Sequence, residues 1–107
     1  MSQRKQEVRR RFRAAVFSRD GYVCRGCGFV STPERAEKEL DAHHITDRHE
    51  IPNGGYVPEN GISLCSDCHL KAEAHHNGEH VSPGFAPDEL YAVIGSSLAT
   101  ARGACGE

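Results

Sequence analysis

Two C-x-x-C pairs bracket a pair of adjacent histidines. Cys24 and Cys27 precede it, Cys65 and Cys68 follow it, His43 and His44 stand between them, and His69 comes directly after the second pair. The two sets of residues suit different chemistry. Four thiolates close a tetrahedral site around one Zn²⁺, each C-x-x-C turn supplying two ligands. Such a site is anionic and coordinatively full, so it is structural. Imidazole titrates near neutral pH and can either bind a cation or take a proton from water. Neighbouring strand residues face opposite sides, so His43 and His44 cannot both face one metal in a regular strand. One can hold a cation while the other activates water. A zinc ribbon that only binds a partner needs the cysteines and has no use for the histidines.

Composition agrees with a metal-held fold. The chain has 107 residues, which suits one domain, and Leu, Ile, Val and Phe together make up less than a fifth of it. A core this lean in a small domain needs a staple, and a tetracysteine zinc site contributes about 10–16 kcal/mol of apparent binding energy that appears only on folding. Residues 1–20 are basic and lack an apolar signal-peptide core, and no apolar run approaches membrane-spanning length. No membrane association is expected. A reducing, cytoplasmic setting follows, in which paired C-x-x-C motifs favour metal over disulfides. Cys65-Ser-Asp-Cys68-His69 also fits c-type haem attachment, but that requires export. The fifth cysteine, Cys105, is expected to be a free thiol.

The elements that must position these residues are short. Residues 5–18 read as an amphipathic helix with Val8, Phe12, Ala15 and Val16 on its apolar stripe. Seven of the thirteen Lys and Arg fall in the first nineteen residues, although the formal net charge is −2. Asp20-Gly21 ends the helix. Tyr22 to Gly28 forms the first knuckle, where Gly26 and Gly28 let the backbone turn around a metal. Residues 31–39 are polar, either a short helical turn opened by Pro33 or a loop. Leu40–Ile45 and Gly61–Leu64 read as short strands, and the breakers Pro52, Asn53-Gly54-Gly55 and Pro58 make 46–60 a loop. Ser66 is the expected cap of a helix running to about His76, stopped by Asn77-Gly78. Pro87-Asp88-Glu89 opens a last helix with Leu90 and Ile94 as its apolar contact. The small, polar stretch after Gly95 is expected to fray.

The order Asp41-Ala-His43-His44-Ile45, then Asn60-Gly-Ile-Ser-Leu-Cys65, then Cys68-His69 resembles the HNH endonucleases of the ββα-metal (His-Me finger) superfamily. The resemblance takes in Arg19-Asp20-Gly21-Tyr22-Val23-Cys24 upstream and covers about residues 8–76. Asn60 lies sixteen positions after His44, and His69 nine positions after Asn60. The resemblance implies an α+β fold: a small ββα-metal domain with a tetracysteine zinc site and flanking N- and C-terminal helices. The expected organisation is a basic N-terminal helix packed on the domain over 1–20, the zinc-stabilised core over 21–81, a C-terminal helix over 82–97 and a disordered tail over 98–107.

It also implies roles. His43 corresponds to a metal ligand at the end of the first strand, His44 to the general base, Asn60 to the residue that holds the base's backbone by hydrogen bonding, and His69 to a second metal ligand. The reaction implied is metal-dependent hydrolysis of DNA phosphodiester bonds, nicking one strand or cutting both, with one divalent cation. Imidazole ligands admit Mn²⁺, Ni²⁺ or Co²⁺ beside Mg²⁺. Glu73, four residues after His69 on the same helix face, is a candidate third ligand. Asp41 either orients a histidine or faces water at the strand start, whereas His49 has no role and His75, His76 and His80 read as surface residues. Arg9, Arg10, Arg13 and Arg48 are the candidate nucleic-acid contacts. No base-reading module is visible, so low sequence specificity or a specificity-giving protein partner is expected. RNA stays open as a substrate. A phage or mobile-element setting is implied by the family, in a bacterial or phage-infected cell. The competing class is a non-catalytic zinc ribbon that binds nucleic acid or protein.

Overall fold

The computed structural model describes residues 3–106. Helix α1 (Gln3–Arg19) leads through the knuckle into a single helical turn, α2 (Ala36–Glu39). Strands β1 (Asp41–His44) and β2 (Gly61–Leu64) pair antiparallel, with Asp41 opposite Leu64 and His44 opposite Gly61. Helix α3 (Ser66–His76) follows at once, and α4 (Pro87–Val93) and α5 (Leu98–Ala104) close the chain. Two 3₁₀ turns, Pro52–Gly55 and Pro58–Asn60, interrupt the loop between the strands. The architecture is α+β.

α1 packs on the sheet through Phe12, Val16 and Phe17, all buried, whereas Val8 of the expected stripe stays exposed. Ile45, Ile62 and Leu64 sit at the centre of the core, with Leu40, Ala72, Leu90 and Tyr91 around them. β2 is buried along its whole length because α1 and the rest of the chain cover both faces.

Asp20 does more than end α1. Its side chain is fully buried and takes Arg19 in a bidentate pair (2.9 Å each) and Arg25 at 3.0 Å, and it also accepts the Ser63 amide at 2.9 Å. Arg19 continues to the carbonyls of Pro58 and Gly61, and Arg25 to that of Val93. A buried carboxylate is tolerable because each lone pair is met. One residue thus ties α1, the knuckle, β2 and α4 together.

Three expectations need correction. Cys65, not Ser66, occupies the N-cap of α3, which puts a zinc-site sulfur at the helix start. The helix expected over 82–97 is shorter, Pro87–Val93, with Glu89 accepting from the amides of Gly84 and Ala86. Of the tail expected to be disordered over 98–107, Leu98–Ala104 forms α5, and Glu107 lies outside the described residues. Ser97 caps α5 by accepting the Thr100 amide at 3.0 Å, and Ala101 and Cys105 are buried against the core. Small residues carried no apolar periodicity, but they let this helix approach closely.

Candidate metal and active site

The four cysteines gather from two knuckles. Cys24 accepts from Gly28 and donates to Phe29 through its backbone, closing a tight turn in which Gly28 has φ +84°. Gly26 is needed for a second reason, since a Cβ there would stand 2.8 Å from Cys68 Sγ. The four sulfurs lie within 4.8 Å of one another, and Cys27 and Cys65 Sγ are 3.7 Å apart. A disulfide would need about 2.05 Å. A zinc tetrahedron with bonds of about 2.3 Å has edges of about 3.8 Å. Burial and the neighbouring Cys24 and Cys65 sulfurs push the Cys68 thiol up, while backbone N–H groups outweigh burial and bring Cys24 down to about 7. Four sulfurs this close cannot share negative charge without a cation between them. The site fits zinc.

The second cluster lies between β1 and α3. His69 and Glu73 are one turn apart on α3, above the buried His43 of β1. One ligand atom from each of His43, His69 and Glu73 falls within 4.8 Å of the others. Glu73 Oε1 is 3.1 Å from His69 Nε2 and 3.4 Å from His43 Nδ1. His43 Nδ1 is buried and has no hydrogen-bond partner among the described residues. A neutral imidazole, a second imidazole and a carboxylate converging in this way fit a divalent cation. Asp41 Oδ2 lies 3.3 Å from His69 Nδ1, on the far side of the ring, where a carboxylate fixes the tautomer that leaves Nε2 for a metal.

His44 turns the other way, as strand alternation requires. Its ring packs on Phe12 (4.6 Å between centroids) and stands edge-on to Tyr56 (4.7 Å). Burial, and next the Arg48 charge, hold its pKa down at about 4, and burial beside His69 and His76 takes His43 to about 3. Both rings are neutral at pH 7. His43, His44, His69, Glu73, Arg48 and Tyr56 line one open cleft of about 280 Å³.

Asn60 is fully buried at the end of the second 3₁₀ turn. Its Oδ1 accepts the Thr46 amide (2.9 Å) and the Tyr91 hydroxyl (2.7 Å), its Nδ2 donates to the carbonyls of Thr46 and Gly55, and its own carbonyl accepts the Ile45 amide. It therefore holds Ile45 and Thr46, the residues just past His44.

A protein-family comparison matches residues 24–75 to the HNH endonuclease model. The matched stretch takes in both C-x-x-C pairs, the two strands and nearly all of α3. Comparisons with curated proteins and with solved structures gave no match. Among the described residues no helix is long and apolar enough to cross a membrane.

Within and beside the matched stretch, the four arginines singled out for nucleic acid separate. Arg48 lines the cleft with Tyr56, and Arg9 lines a neighbouring hollow on the other side of Tyr56. Arg10 is drawn to Glu7, and Arg13 to Glu37 at 3.0 Å. His75, His80 and His49 are exposed. His76 is not the surface residue expected. It stacks on His43 (5.2 Å, 25°), and its Nε2 donates to the His44 carbonyl at 2.9 Å. A carbonyl only accepts, so that nitrogen carries the proton. The spacing 69, 73, 76 is one helix stripe and was the available signal for His76. Tyr56, flanked by loop breakers, carried none.

Proposed function

We propose that this chain is a metal-dependent endonuclease that hydrolyses DNA phosphodiester bonds, with His44 as general base and His43, His69 and Glu73 as ligands of one divalent cation. The observation that carries the reading is the pairing of a neutral, half-buried His44 with the His43–His69–Glu73 cluster in one cleft. A neutral imidazole with Nε2 unpartnered among the described residues can take a proton from attacking water. When bound, Mg²⁺, Mn²⁺, Ni²⁺ or Co²⁺ would stabilise the charge on the scissile phosphate and the leaving 3′-oxygen. Arg48 at the cleft supplies a cationic donor to a phosphate oxygen. Asn60 and His76 hold the end of β1, so that His44 and His43 keep opposite faces of one rigid strand. The products carry a 5′-phosphate and a 3′-hydroxyl. Zn²⁺ at the four cysteines keeps α3 and the knuckle in register, and its thiolates call for a reducing, intracellular setting.

The test is nicking of supercoiled plasmid with Mg²⁺ or Mn²⁺. We expect His44→Ala to retain zinc and helical circular dichroism and to lose at least 100-fold in rate, the scale of one acid–base group. Nicking by His44→Ala at the wild-type rate would remove the base assignment and favour a non-catalytic zinc ribbon with a contaminating nuclease.

A further inference from the structure

Tyr56 belongs to two clefts at once. On one side its ring faces His44 and Arg48 in the cleft already described. On the other it lines a separate hollow of about 440 Å³ between α1 and the 52–57 loop, together with Arg4, Lys5, Val8, Arg9 and Asn53. Three of those six residues are cationic and none is acidic. Arg9 lines this hollow and Arg48 the other cleft, and these two guanidinium groups beside the Tyr56 hydroxyl outweigh burial and hold the phenol below its usual value. Two guanidinium groups therefore converge on a neutral oxygen, an arrangement that favours an anion nearby.

The loop is shaped to present this ring. Asn53 and Gly54 both have positive φ (56° and 78°), and a Cβ at Gly54 would meet the Tyr56 ring at 2.8 Å. Asn53 Nδ2 donates to the Cys105 carbonyl at 2.6 Å, so α5 anchors the loop from behind. Phe12 backs the ring edge-on at 5.6 Å. Lys5 and Arg9 stand one helical turn apart, about 6 Å along the axis, and flank the hollow on its α1 side.

We propose that this hollow seats the nucleotide adjoining the scissile phosphate of a DNA strand, with Tyr56 contacting its base and Arg9 its phosphate. This rests on the nuclease reading above. An aromatic face beside cationic side chains is the chemistry that holds a single strand without reading its sequence, which suits a chain with no base-reading module. Tyr56 then joins the reacting cleft to the strand's path along α1.

The test is fluorescence anisotropy with a labelled single-stranded DNA oligonucleotide, using the zinc-loaded full chain carrying His44→Ala, with no other divalent metal added. Adding Tyr56→Ala should weaken binding about 5- to 150-fold, the range for loss of one base–aromatic stack, and Tyr56→Phe should bind close to the unsubstituted chain. Arg9→Ala should weaken binding and lower the slope of log K against log salt by about 0.7, one phosphate contact on a single strand. Arg35→Ala, at the exposed N-cap of α2, should change nothing. Zinc content and circular dichroism check that Tyr56→Ala is folded, and the Arg9 salt slope decides the matter if it is not. Unchanged binding in both Tyr56→Ala and Arg9→Ala overturns the proposal, as does a loss seen only with the matching RNA. Unchanged oligonucleotide binding alongside nicking that disappears in His44→Ala removes the hollow alone. Nicking that survives His44→Ala with oligonucleotide binding lost in these variants removes the base assignment alone.

Discussion

His44 and His43 are histidines that burial keeps from becoming charged, with pKa values near 4 and 3 against about 6.5 in an unfolded chain. The sign of the linkage follows. Above pH 6.5 both states leave the rings neutral. As pH falls toward 4 the unfolded chain takes up protons that the folded one refuses, so stability is lost on acidification. The thermal midpoint of the zinc-loaded chain should therefore drop between pH 6.5 and 4.5. The drop should be smaller in His44→Gln, with zinc release common to both. Equal slopes would mean that His44 is not buried neutral. His76 gives a second residue-scale expectation. Removing its hydrogen bond to the His44 carbonyl by His76→Ala forfeits about 1 kcal/mol of positioning. Single-turnover nicking should slow about fivefold, with the KM for plasmid little changed. An unchanged rate would make the contact incidental.

At the scale of elements, β1 is only four residues long and depends on what clamps its end. Asn60 meets Thr46 with both side-chain atoms and also takes the Tyr91 hydroxyl from α4. Asn60→Ala would strand the Thr46 amide and leave a buried cavity, costing about 3 kcal/mol or more. Urea unfolding should show this as a lower midpoint with an unchanged m-value. α5 works on the same loop from outside, through Asn53 and Cys105. Its amphipathicity is hidden because Ala101 and Cys105 bury well without being large. A reading keyed to bulky apolar residues passes over it.

For the whole molecule, magnitudes decide what holds the fold. Domains of this kind are stable by about 5–15 kcal/mol. A tetrathiolate zinc site contributes about 10–16 kcal/mol, as much as the entire net stability. Stripping zinc with a strong chelator should therefore abolish the cooperative melt, as should Cys65→Ala. A chelated chain that still melted cooperatively near the wild-type temperature would show that the lean core and the Asp20 network suffice alone.

Ligand chemistry was legible along the chain because it is local. A C-x-x-C turn brings its own two sulfurs together, alternation in a strand separates His43 from His44, and four residues of helix put Glu73 over His69. The four-cysteine cluster follows from such spacings, whereas the α+β architecture was what the family resemblance implied. Other features depend on which distant segments meet. Arg9 and Arg48 are 39 positions apart and converge on Tyr56, while Arg10 and Arg13, equally basic in the sequence, turn to Glu7 and Glu37. His76 faces inward only because β1 lies beneath α3. The tail folds back because Ala101 and Cys105 find the core and a loop amide finds the Cys105 carbonyl. Spacing sets what neighbours in the chain can do together; the choice among equivalent side chains is made by packing across long loops, which no short-range pattern encodes.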